Sequence, residues 1–263
     1  MKTKIILNKS FQYALLVFII LIIPFSVLFF MTPKQIVNYT VEDGLIENLS
    51  AIYYFIASVV CFYIFIKFSN QGGDNYLTKN RNYFILFLGI FLFICFGEEI
   101  SWGQRIFGFT TSNSVKAINV QGETNFHNLI YIDGRDSHGV FTKKGIAQFS
   151  TIDGIFILIW FFYCFIIPII NRLSSKFNNF ARKIHFPIIP VCLGVIFVLH
   201  QFFYEIFKSL GWFPIKPLSE IKEMNVAFLY LLASISIYLK YKIENSKEGI
   251  MEVKTQNTEL NYG

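Results

Sequence analysis

Long apolar runs alternate with short polar connections along this chain, and the run lengths are the first constraint on its structure. A helix crossing the bilayer core needs about 20 mostly apolar residues. Six stretches approach or meet that length: 11–31, 45–68, 83–102, 152–170, 187–207 and 224–239. The first follows Lys2, Lys4 and Lys9, as a signal peptide would, but it is too long and lacks a small-x-small cleavage pattern. It reads as a retained span, kinked near Pro24. Ser219, after Pro217, reads as the N-cap of the helix leading into the sixth. The pattern predicts an all-α, polytopic membrane bundle of about six transmembrane helices over residues 1–243. A connection this long is unusual unless functional or disordered, so 103–148 is expected to form a partly ordered outer cap. Residues 244–263 are polar and aperiodic and are expected to be a disordered cytoplasmic tail.

Composition sharpens this picture. Hydrophobic residues make up 54% of the 263 and charged ones only 15%, against about a quarter in soluble domains, so the solvent for most of the chain is lipid. The net charge of +6 could suggest nucleic acid, but the cations are scattered between apolar runs and do not form one basic face. No nucleic-acid partner is expected; the bilayer is. Cys61, Cys95, Cys164 and Cys192 all lie inside apolar runs, without disulfide or zinc spacing.

Lys and Arg set the orientation. Fourteen of 23 fall at the start, in the 67–81 and 172–183 connections and after the last span, which makes both termini cytoplasmic in a multi-pass protein of a cell (inner) membrane. Twelve of 17 acids then lie outside. Six of these, Glu42, Asp43, Glu47, Asp153, Glu220 and Glu223, sit where helices begin and are favoured there by the helix dipole. Glu98, Glu99 and Glu205 sit at helix C-termini, where that explanation fails.

Three clusters therefore carry candidate chemistry. In Gly97-Glu98-Glu99-Ile100-Ser101-Trp102-Gly103-Gln104-Arg105, two acids end an apolar run and require a partner: a cation, a metal ion or a shared proton. The plain alternative is an interfacial Trp/Arg anchor. In Gln121-Gly122-Glu123-Thr124-Asn125-Phe126-His127-Asn128, Glu123 and His127 share a face if helical and could ligate a divalent metal or form an acid–base pair. The plain alternative is a solvated surface histidine. His200 lies within the fifth span, where an ionisable residue is a functional candidate by default and a neutral histidine bridging two helices is the plain alternative. His138 and His185 read as loop and interface. A weak internal echo also exists: Glu47, Ala51, Tyr54, Ala57 and Ser58 match Glu223, Ala227, Tyr230, Ala233 and Ser234 at one offset.

The two polar motifs resemble a group of uncharacterised bacterial polytopic membrane proteins, which implies location without an activity. More loosely, the order Glu98, Glu99, His127, His200 is similar to the CAAX-protease and bacteriocin-processing family of intramembrane enzymes, which uses a paired Glu followed by two separated His. Arg105 follows the Glu pair less closely than that family's Arg does. Tyr204 stands where the family has Asn or Asp. Lipid-phosphatase, CDP-alcohol transferase, HExxH and nucleotide-binding patterns are absent.

The resulting expectation is a membrane-embedded hydrolase or transferase with a Glu/His site near the outer leaflet, acting on a lipid or membrane peptide. Glu98, Glu99, His127 and His200 are the catalytic candidates, and Trp102, Arg105, Gln121, Asn125 and Asn128 are the substrate-binding ones. Glu123 with His127 would hold a metal ion. The alternatives are a non-catalytic membrane subunit and a small transporter.

Overall fold

A computed structural model describes residues 2–40, 44–68, 81–119, 122–126, 128–133 and 150–260. The chain forms α1 (Lys2–Val27), the short α2 (Pro33–Tyr39), α3 (Leu45–Lys67) and α4 (Tyr83–Glu99). After the cap comes α5, built from Ile152–Trp160, a π-helical turn over Phe161–Ile166, and Ile167–Leu173. Then follow α6 (Ser175–Lys183), α7 (Val191–Leu210) and α8 (Ile215–Leu260). Five of these, α1, α3, α5, α7 and α8, are long and apolar enough to cross a membrane. The remaining expected span, the third at 83–102, is α4, which has 17 residues, at the short end of the range that can cross. The protein is an all-α integral membrane bundle, and among the described residues the only β pairing is an isolated bridge between Asn119 and Leu129.

Helix α3 packs between α4 and α8. Lipid supplies no hydrophobic force to join helices, so close packing through small residues does that work. Ala51, Ala57, Ser58 and Cys61 of α3 are buried, as are Ala227, Ala233 and Ser234 of α8. The Cys61 thiol donates to Ser234 Oγ at 3.5 Å, and Ser58 Oγ donates to the Gly89 carbonyl of α4 at 3.0 Å. Tyr54 and Tyr230, paired in the internal echo, meet with ring centroids 6.0 Å apart. The echoed residues are thus the two sides of one helix–helix interface.

The π turn has a local cause. Pro168 has no N–H to offer the Cys164 carbonyl four residues back, and its ring crowds that carbonyl, so the turn widens. The displaced Cys164 carbonyl lies against Gly194 of α7, where a Cβ would stand 1.9 Å from it. No other residue type fits there.

At the Lys/Arg-rich end, Pro187 and Pro190 hold residues 186–190 extended, and α7 starts at Val191, four residues later than the apolar run suggests. Helix α6 closes in a Schellman arrangement, with His185 N–H donating to the Arg182 carbonyl at 3.1 Å and Phe186 N–H to the Ala181 carbonyl at 2.8 Å. His185 takes the left-handed position (φ 49°) that glycine usually fills. Buried Asn82 caps α4 by accepting from Phe84 N–H at 3.0 Å. Its amide also donates to the His185 carbonyl and to Tyr241 Oη, both at 2.6 Å, tying three helices together. Replacing Asn82 by Ala should lower stability by about 2 kcal/mol, whereas Asp restores only the cap. Thermal unfolding of detergent-purified protein should rank Asn above Asp above Ala.

Two other boundaries differ from the sequence reading. Helix α8 starts at Ile215, with Pro217 tolerated in its first turn, so Ser219 lies inside the helix and donates to Glu223 Oε1 at 2.9 Å instead of capping. Its backbone also stays helical to Leu260, past the point where the disordered tail was expected to begin. Glu occurs four times and Lys twice over 244–260, and no proline stops the helix.

Candidate functional site

The site is built where α4 ends. Ser101 (φ 46°), Trp102 (φ 53°) and Gly103 (φ 80°) are consecutive left-handed residues that reverse the chain after Glu99. For a side-chain-bearing residue this conformation costs roughly 1–2 kcal/mol, so something must hold Ser101 and Trp102 in place. The Trp102 ring folds back over Gly97, where a Cβ would lie 3.0 Å from the indole, and Trp102 Nε1 donates to Glu98 Oε1 at 2.5 Å. The other carboxylate oxygen of Glu98 accepts from Phe126 N–H at 2.7 Å. The Glu123 carboxylate accepts from Ser101 Oγ at 2.7 Å and from the Asn125 amide at 2.9 Å. Both glutamates therefore latch the cap onto the end of α4.

Buried amides complete the network. Asn119 donates to Asn125 Oδ1 at 2.9 Å and accepts from Glu123 N–H at 3.2 Å. Gln104 Oε1 accepts from Thr124 N–H at 2.8 Å and from Thr111 Oγ1 at 2.9 Å. Asn125 and Asn128 are buried, while Trp102 is partly exposed. Around this polar interior the cap turns apolar side chains outward: Phe107 is 79% exposed and Tyr131 77%, with Ile106, Phe109 and Phe126 also exposed. In water this arrangement would be inside out.

Glu99 belongs to a different group. Half-buried Glu220 of α8 lies in the electrostatic field of Glu223, Glu99, Lys216 and Glu47, which gathers four carboxylates and one lysine at the capped end of α3, α4 and α8. The N-terminal dipoles of α3 and α8 favour Glu47, Glu220 and Glu223 there. Glu99 arrives on a C-terminus and has no such support.

His200 is separate from both groups. It is 2% exposed, packs against the Phe25 ring and lies in the field of Lys222. The Asn225 amide donates to His200 Nε2 at 3.0 Å and to the Leu21 carbonyl at 2.8 Å, so α1, α7 and α8 are joined at one point. That arrangement makes Nε2 an acceptor and leaves the proton on Nδ1, which finds no partner. Asn225→Leu should cost about 2–3 kcal/mol by stranding both acceptors, read as an earlier midpoint in denaturant unfolding.

Of the residues singled out from sequence, Glu98, Trp102, Glu123 and Asn125 come together in the latch. Glu99 joins the carboxylate group and His200 joins Asn225. His127 and Gln121 lie outside the described residues, as does the side chain of Arg105. Among the described residues, no three His, Cys, Asp or Glu side chains gather closely enough to hold a metal ion. Sequence reasoning placed Ser101 beside Glu98 but gave no role to Gln104, Thr111 or Asn119, and it set Glu220 aside as a dipole effect. The spacing of Glu220 and Glu223, one turn apart at the start of a span, was the signal available for the latter.

Comparison with protein-family models, curated proteins and solved structures finds no match.

Proposed function

We propose that this integral membrane protein is a hydrolase or transferase acting on a lipid or similar amphiphile at the headgroup level of the capped face. The inverted cap carries the reading: an aromatic exterior suited to the acyl–headgroup boundary encloses a hydrogen-bonded, carboxylate-bearing interior. Aromatic and apolar groups partition favourably into that boundary. A substrate entering sideways would meet Glu99 and Glu220. Two interacting carboxylates can hold one proton between them and so serve as acid and base. Glu98 and Glu123, already committed to cap donors, act as positioning residues.

Protein reconstituted into vesicles containing headgroup-labelled phospholipids should release or transfer the headgroup. Changing Phe107 and Tyr131 to Ser should raise KM for vesicle substrate about tenfold with kcat nearly unchanged, because the lost contacts anchor substrate and transition state alike. Equal KM of both forms for vesicle substrate would overturn the reading, whereas equal turnover of a soluble headgroup analogue by both forms is the expected control.

A second reading, a membrane subunit whose cap docks a partner, is favoured by the saturation of Glu98 and Glu123 with internal donors. It predicts that function survives every substitution at Glu99 and Glu220 and is lost with the exposed aromatics.

A further inference from the structure

The opposite end of the bundle holds a cavity of about 720 Å³ between α6, the extended 186–190 segment and the lower half of α8. Its wall carries Arg182, Lys240, His185, Asn171, Asn178 and Glu244. The size suits a small-molecule group, and Arg182 and Lys240 against the one carboxylate of Glu244 leave a single net formal positive charge, which matches one phosphodiester. The Asn171 Oδ1 atom at the wall has no partner in the protein. His185 keeps an imidazole at a left-handed position where glycine would be unstrained, which adds a nitrogen-bearing ring to the wall that holds Arg182 and Lys240.

The surroundings indicate where such an anion would come from. Helix α6 sets Lys176, Arg182 and Lys183 beside the packed pair Phe177 and Phe180, whose ring centroids are 6.4 Å apart, and Phe180 is exposed. A short helix with cations and aromatics, placed between two spans, lies at the headgroup level of a bilayer. Its side of the molecule collects the Lys and Arg of the connections, the side that faces anionic leaflets. The floor is rigid, since Asn82 ties the His185 carbonyl to Tyr241.

We infer that this cavity binds the headgroup phosphate of an anionic phospholipid, with Arg182 and Lys240 clamping the phosphate oxygens and Asn178 at its edge. The planar guanidinium of Arg182 suits two phosphate oxygens at once. The site is independent of the capped end and of any reaction there.

The test is retention of lipid by the full chain in mild detergent, read by native mass spectrometry with short-chain phosphatidylglycerol, short-chain phosphatidylcholine or sodium phosphate as probes. Wild-type protein should hold one phosphatidylglycerol with at least a tenfold preference over phosphatidylcholine. The Arg182→Gln, Lys240→Gln variant should lose that preference, whereas Lys176→Gln, Lys183→Gln, which removes the same charge from the same face, should keep it. Asn178→Phe, which adds a bulky ring to the cavity wall without changing charge, should also weaken retention and serves if the double variant folds poorly. Equal retention of the two lipids by wild type would overturn the inference. So would loss of preference in the Lys176/Lys183 control, which would reveal diffuse surface attraction. Displacement of phosphatidylglycerol by equimolar sodium phosphate would assign the site to a soluble anion and overturn it as well.

Discussion

If the chain is the hydrolase or transferase proposed above, changing Glu99 and Glu220 together to Gln is expected to reduce turnover of a vesicle-borne substrate by about 10²–10⁴, the usual range for loss of a positioned acid or base. The argument rests on what the exchange leaves unaltered. Gln matches Glu in size, and the carboxylates that hold Ser101, Trp102, Asn125 and Phe126 in the cap latch are Glu98 and Glu123. Of the four carboxylates in the Glu220 neighbourhood, two remain, opposed by Lys216. Mutual repulsion falls, so thermal stability should be unchanged or slightly raised while activity collapses. That opposite movement separates loss of chemistry from loss of structure. Glu205→Gln is the control, since its contact with Lys208, 3.6 Å apart on an exposed surface, contributes little. Wild-type turnover in the double variant would remove Glu99 and Glu220 from the mechanism. Glu98→Gln should behave differently again: both of its carboxylate oxygens accept an N–H, and an amide offers only one acceptor, so the cap should loosen, with stability and turnover declining together.

The sequence was informative where a single period or a single residue decides the structure. Apolar run length marks the spans, and the run at 45–68 corresponds to Leu45–Lys67 within one residue. Run length says little about where a helix ends once backbone strain intervenes. The apolar run around α4 extends to Trp102, yet the helix stops at Glu99, because Trp102 donates back to Glu98 and Ser101 reaches across to Glu123. The latch joins residues more than 20 positions apart, and no helical spacing encodes such a contact. The Glu98–Glu99 pair was legible as a pair in need of partners, but not as two residues facing different groups. His200 was legible as buried and polar, and its tie to Asn225 required knowing that α7 and α8 lie side by side.

Gly194→Ala is the substitution expected to damage the fold most. In an isolated helix the change would help by about 1 kcal/mol, because alanine favours helix over glycine. Here the new Cβ would stand 1.9 Å from the Cys164 carbonyl oxygen, 2.8 Å from its carbon and 3.0 Å from Phe165 Cα, and backbone cannot swing aside as a side chain can. Helices α5 and α7 would have to separate by more than 1 Å, loosening the stack of Trp160 on Phe197, now 4.9 Å between ring centroids. A cost of about 3 kcal/mol or more follows, a large share of a typical stability of 5–15 kcal/mol. Gly89→Ala should be milder, since two of its three nearest contacts are ring atoms of Phe62, which can rotate away. The origin of the clash points to a suppressor. Pro168 pushes the Cys164 carbonyl out of its helix, and Pro168→Ala would restore an N–H four residues on and let the π turn close. In a double-mutant cycle read by denaturant unfolding, Pro168→Ala should recover at least 1 kcal/mol of the Gly194→Ala loss. Strict additivity would show instead that the carbonyl is held against Gly194 by the packing of α5 as a whole.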